Sequence, residues 1–290
     1  MPEERSLDYA RLATAAAVPI ERDILRISGP EAGTYLQGQL SQDVERLPIG
    51  TTAWSWVLQP TGKVDALVRV TRTADADWVV DTDGGFGDAL LKRLTRFKLR
   101  TKADIEPLDW RGLALRGADL PAAAAPAGGI AADATWPGLP GVDLLGEAPV
   151  APEGVPTVAA DLLEVARIEA GIPRMGAELT EATIPNETGI VDRTVSFTKG
   201  CYTGQELVAR IDARGSNVAR HLRGLLLDAP AEAGEALLAG DRQVGSLTSV
   251  AHSPALGWVA LGYLGRNVAP GDSVSAERGA SGAVRDLPLR

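Results

Sequence analysis

The last quarter of this 290-residue chain tolerates the fewest alternative folds. Short segments rich in Val, Leu and Gly, at 218–227, 243–250, 256–264 and 273–276, alternate there with turns of Pro, Gly and Asp. Runs of that length and spacing predict antiparallel strands, and a set of such strands avoids exposed edges by closing into a small barrel or sandwich. The boundary ahead of it falls near Gly215, which divides the chain into units 1–215 and 216–290.

Upstream the pattern mixes helix and strand. Residues 24–27 read as a short strand, and Ser28-Gly29-Pro30-Glu31 then has the form of a helix start, with Ala32, Tyr35, Leu36, Gln39 and Leu40 on one side. Residues 52–58, 64–71 and 78–82 read as consecutive antiparallel strands, the first two joined by Pro60-Thr61-Gly62-Lys63. A helix follows with Leu90, Leu91, Leu94 and Phe97 inward. Its basic residues Lys92, Arg93, Arg96 and Lys98, with Arg100 and Lys102 just beyond, read as a solvated face rather than an anion site. The stretch 118–134, with Pro121, four alanines, Pro126 and Gly128-Gly129, reads as a linker between two lobes. Asp161 and Glu164 have capping-box spacing for a further helix, which Gly171 and Pro173 end. Leu162, Val165, Ala166 and Glu169 share one face of it. A carboxylate on an apolar face must find a donor, a counter-charge or a ligand. From the residues alone, a salt bridge from Glu169 to Arg167 or Arg174 is the expectation. The fold class is therefore α+β, two lobes of helices and antiparallel strands plus a small C-terminal barrel.

Composition bounds the chemistry. A net charge of -9 argues against broad contact with nucleic acid or an anionic membrane. The opening residues interrupt a short Ala-rich stretch with charges on both sides, so neither a signal peptide nor a membrane span is expected. A single cysteine excludes an internal disulfide and fits a reducing compartment, and the expected location is cytoplasmic. No metal-ligand spacing, phosphate loop or dinucleotide fingerprint is present.

That cysteine, Cys201, lies in Lys199-Gly200-Cys201-Tyr202-Thr203-Gly204-Gln205-Glu206. Thr203 and Glu206 have capping-box spacing, which predicts a helix beginning there with Cys201 just outside its amino end. The helix dipole and Lys199 would then favour thiolate. The alternatives are an inert buried thiol, or a thiol paired through the fold with His221 or His252.

The octamer, followed by Val208-Ala209-Arg210 and Arg214-Gly215, resembles the signature of the YgfZ family of folate-binding proteins. That family is similar to the T-protein (aminomethyltransferase) of glycine cleavage and is linked to maintenance of iron-sulfur enzymes and to tRNA modification. The segments 35–44, Gly62-Lys63-Val64, 167–173 with Gly176, and 244–249 with Leu256-Gly257 extend the likeness over nearly the whole chain. The resemblance implies a pocket for tetrahydrofolate or a one-carbon derivative in the larger unit, with the cysteine loop at its mouth. Glu169 matches the family's pterin-facing glutamate, Asp81 falls near a folate-contacting position, and Lys63 and Asp65 lie beside the pocket. Cys201 is implied as the reactive group, with Lys199 supporting its thiolate and Gln205 and Glu206 ordering the loop through the helix cap. Partners would be iron-sulfur assembly or client proteins, with no direct nucleic acid and no membrane. The T-protein's acidic residue after the glycine turn is out of register here, where Lys63-Val64-Asp65-Ala66-Leu67 stands. Aminomethyl transfer is thus disfavoured, and folate-dependent one-carbon transfer is the alternative activity.

Overall fold

In the computed structural model, which describes residues 2–121 and 125–289, helix α1 (Pro2–Thr14) leads into strands β1 (Ala16–Ile20) and β2 (Arg22–Ser28). Helix α2 (Ala32–Gln39) and the meander β3 (Thr52–Leu58), β4 (Val64–Ala74) and β5 (Asp77–Asp83) follow, then α3 (Gly87–Lys98) and β6 (Asp104–Leu108). These strands form a five-stranded antiparallel sheet in the order β3-β4-β5-β2-β6. The helices cover it because Leu36, Leu90 and Leu94 present an apolar face that packs with Trp56, Val68 and Val80.

The second lobe consists of β7 (Arg111–Arg116), β8 (Ile130–Asp133) and β9 (Gly141–Gly146), completed by β1 in the order β1-β7-β9-β8. The stretch expected as a linker thus contributes a strand: Ile130 and Ala132 point inward and pack with Ile24, Val79 and Leu145 between the two sheets. Three of the alanines of that stretch, 122–124, lie outside the described residues. Helix α4 (Ala160–Ala170) packs on this lobe through Leu162, Val165 and Ala166. It ends at Gly171, whose φ of 72° is the left-handed cap that glycine accepts without penalty.

After a 3-10 turn at Pro185–Glu187 and two short helices, α5 (Val191–Thr194) and α6 (Gln205–Asp212), six strands complete the chain. They are β10 (Arg220–Leu227), β11 (Ala236–Ala239), β12 (Arg242–Ser253), β13 (Gly257–Gly265), β14 (Ser273–Ala276) and β15 (Ser281–Arg285). They close into an antiparallel barrel, β10-β13-β12-β11-β14-β15, around Leu225, Leu237, Leu247 and Val284. Among the described residues no helix is long and apolar enough to cross a membrane.

The expected helix caps are corrected by tertiary contacts. Neither box forms: Ala159 caps α4 and Gly204 caps α6, without a side-chain hydrogen bond in either case. Asp161 is drawn to Arg5, and Glu164 to Arg167 at 2.8 Å.

Candidate functional site

Cys201 is exposed, and the loop that carries it is fastened at both ends. The Lys199 ammonium donates to the carbonyls of Gln37, Leu40 and Gln42 at 2.7, 2.6 and 2.9 Å. Those carbonyls sit at and just beyond the C-terminus of α2, where an unpaired helix end favours a cation. The charge that the sequence reading gave to the thiol therefore holds the loop instead. Burial lowers the Lys199 pKa to about 8, opposed by Asp43 and Glu45. The Thr203 amide donates to Gly38 O at 3.0 Å, and the Gln205 side chain accepts from the Tyr202 amide at 3.1 Å. Gly204, at φ 82°, touches the β3–β4 turn so closely that a Cβ there would lie 2.5 Å from Gln59 O. Glu206 is exposed on the first turn of α6.

A second constellation lies between the lobes. Arg69, on β4, is 2% exposed and donates to Asp81 of the neighbouring β5 at 2.7 Å and to Asp143 of β9 at 2.6 Å. Asp81 also accepts from Arg22 at 2.7 Å, and Asp143 from Arg116 at 2.7 Å. Five strand residues thus alternate in charge across the interface. Burial pulls the Arg69 pKa down, but Asp81 and Asp143 outweigh it and the value is raised. Burial likewise works to raise that of Asp143, and Arg116 and Arg69 overcome it, holding the carboxyl below its ordinary value.

Arg22, Arg69, Arg116 and Asp143 line a cavity of about 60 Å³ together with Trp54, Trp136, Asp83, Arg167 and Arg174. Arg167 connects it to the barrel by donating to Glu178 at 3.0 Å and to Ser249 of β12 at 2.7 Å. Nε1 of Trp54 and Nε of Arg116 are buried with no partner among the described residues. Both sit on residues of the cavity wall but are themselves covered by protein; what suits the carboxylates of a folate is the set of arginines that line the cavity, Arg22, Arg167 and Arg174 among them. The room admits a carboxylate as it stands, whereas a whole folate needs several hundred Å³ and hence withdrawal of side chains at the rim.

The expected site residues do not converge. Gly204 of the loop rests on Gly62, while the cavity begins at Leu67 and Arg69 of β4. At the rise of an extended strand that separation is about 20 Å. Lys63 is exposed at the turn. Asp65 is bound by Arg93 at 2.7 Å, so one of the basic residues expected to face water turns inward. Asp81 joins the inter-lobe network. Glu169 is 1% exposed and finds neither Arg167 nor Arg174: the Tyr9 hydroxyl donates to it at 2.6 Å. It borders a separate cleft of about 10 Å³ with Leu139 and Pro288. His252 packs edge-on against Trp258 at 5.0 Å, and His221 lies in β10. The sequence reading missed Arg22, Arg69, Arg116 and Asp143. The available signal was a charge inside an apolar strand, as in Val68-Arg69-Val70.

The two-lobed body with its terminal barrel defines a T-protein-like protein. The fold superposes on the glycine cleavage system aminomethyltransferase T from Bartonella henselae with a TM-score of 0.84, covering 98% of this chain and 89% of that one at 20% identity. Residues 220–285 match the family described as glycine cleavage T-protein C-terminal barrel domain. The tRNA-modifying protein YgfZ of Klebsiella pneumoniae is 30% identical over 249 residues, which are 74% of this chain and 73% of that protein. The chain belongs to the YgfZ family. The mitochondrial iron-sulfur cluster assembly factor IBA57 homolog of Chaetomium globosum is 28% identical over 229 residues, and the match spans 67% of this chain and about half, 52%, of that protein.

Proposed function

We propose that this chain is a cytoplasmic accessory protein in the assembly or repair of iron-sulfur proteins. It binds tetrahydrofolate or a one-carbon derivative in the inter-lobe cavity and presents the Cys201 thiol to an assembly or client protein. The observation that carries this reading is the exposed thiol on a loop fixed by three lysine-carbonyl hydrogen bonds. A sulfur so placed is open to a protein partner. One thiolate does not hold a cluster, which takes four protein ligands, so any cluster contact is shared with that partner. Relatives named for iron-sulfur cluster assembly and for tRNA modification support the same process. Folate bound by Trp54, Arg116 and the rim arginines would supply a one-carbon carrier. The chain's own groups exclude water, neutralise the tail and set its position. One-carbon transfer by Asp65 is the weaker reading, because Arg93 already holds that carboxylate.

The test is recovery of function in a strain lacking the native protein. The unaltered chain is expected to restore the activity of an iron-sulfur enzyme and the tRNA modification that depends on one, and Cys201→Ser to restore neither at equal abundance. Full recovery with Cys201→Ser would remove the thiol from the account.

A further inference from the structure

Leu99 closes helix α3 in a conformation that suits glycine better than leucine. Its φ of 50° and ψ of -119° are those of the first central residue of a type II′ turn, which the Thr101 amide closes on Lys98 O at 3.0 Å. The side chain gains nothing in return within the fold, being 87% exposed. Around it stand the exposed cations Lys92, Arg96, Arg100 and Lys102, and among the described residues none of the four forms an ion pair. A helix end favours cations in its last turn, but that accounts only for Arg96 and Lys98, and Lys98 is spent on Ala103 O at 2.5 Å. Of the nearby acids, Glu31 holds the Lys102 amide at 2.7 Å, and Asp88 sits on the first turn of α3, at its far end. A chain with 38 acidic residues against 29 basic ones thus keeps one cationic corner. That corner adjoins the thiol loop. Arg93 of α3 donates to the Gln39 side chain at 3.0 Å, and Lys199 of the loop donates to Gln37 O and Leu40 O, so both fasten the same end of α2. An apolar knob ringed by unpaired cations fits a protein surface that is acidic around a small apolar pocket. Single-stranded nucleic acid would call for an aromatic platform, and Phe97 is instead covered by Arg93 at 3.9 Å. A membrane would be met by one leucine on a chain of net charge -9. Resting on the reading above that Cys201 meets an assembly or client protein, we infer that Leu99 and these four cations are the docking surface for that protein, which offers carboxylates and a pocket for the leucine.

The experiment extends the recovery assay to variants of this corner, in the full chain and at equal abundance. Leu99→Gly relieves the turn, and is expected to raise the denaturation midpoint while lowering recovery of iron-sulfur enzyme activity about ten-fold, a separation that a purely structural leucine would not give. Arg96→Glu with Arg100→Glu is expected to lower recovery at least as far. Arg242→Glu with Arg266→Glu, an equal change of charge at exposed positions on and beside the barrel, is expected to leave it unchanged. In the same cells, p-benzoylphenylalanine in place of the exposed Thr95 is expected on irradiation to crosslink an iron-sulfur assembly or client protein, and the Arg96→Glu, Arg100→Glu pair to abolish that adduct. An adduct of RNA or lipid, no adduct, an adduct that survives the charge reversal, or full recovery by Leu99→Gly overturns the inference. If the corner variants recover fully and Cys201→Ser does not, the inference falls and the thiol reading stands. Full recovery by Cys201→Ser removes both.

Discussion

Replacing Arg69 by Met is expected to destabilise the chain by about 3–5 kcal/mol, because removal of one partner from a buried ion network strands the other charges away from water. Asp81 and Asp143 are 0% and 3% exposed, and among the described residues Arg69 alone donates to both. Arg22 and Arg116 each reach one of them, so the lobes lose the cation that bridges them. Urea denaturation followed by tryptophan fluorescence reads the effect, and a loss below about 1 kcal/mol would place the pair in the weak class of exposed salt bridges. The same network sets an acid limit. The folded-state pKa of Asp143 lies below its ordinary value of 3.8. Its contribution is therefore complete above the unfolded value and is lost as pH falls from there through the folded one. Below about pH 4 the unaltered chain should lose stability more steeply than Arg69→Met, in which Asp143 has one fewer charge lowering its pKa.

Gly200 and Gly204 lie on either side of Cys201, and they should respond differently to substitution. Gly204→Ala places a Cβ 2.5 Å from Gln59 O and 2.7 Å from the Leu58 Cβ, at a φ of 82°. The left-handed conformation alone costs a non-glycine residue about 1–3 kcal/mol. The clash with backbone then forces the loop or the β3–β4 turn to move. Gly200→Ala meets nothing within 4 Å and needs no positive φ. The expected result is a fall in the denaturation midpoint and faster hydrogen exchange at the Thr203 amide in Gly204→Ala, with Gly200→Ala unchanged. Equal behaviour would mean that the loop does not rest on the hairpin turn.

Where a segment's own pattern decides its structure, the sequence was readable. Residues 52–58 and 273–276 are the strands the sequence predicts, and Gly171 caps α4 as its place after a helical run requires. The linker reading failed at Ile130–Asp133, because four residues rich in alanine carry no strand pattern. They become a strand by pairing with β9. The caps failed for a related reason: Asp161 and Glu164 have capping chemistry, but arginines elsewhere in the chain compete for them. The site was legible in halves. The cysteine octamer marks its loop from sequence alone. The inter-lobe network joins Arg22, Arg69, Asp81, Arg116 and Asp143 from five strands, and no local window holds enough of them to suggest a set. Lys199 was singled out as support for the thiolate, and only the carbonyls at the end of α2 show that its charge is spent on holding the loop.

The central claim is that the thiol and the cavity are separate stations on one body. Titration of 5-formyltetrahydrofolate into the unaltered chain and into Cys201→Ser, followed through quenching of tryptophan fluorescence, tests it most directly, since Trp54 and Trp136 line the cavity. At about 20 Å along β4 the substitution should not couple to binding, and the two dissociation constants should agree within about two-fold. A ten-fold or greater loss in Cys201→Ser, about 1.4 kcal/mol, would place the sulfur at the ligand and contradict the account.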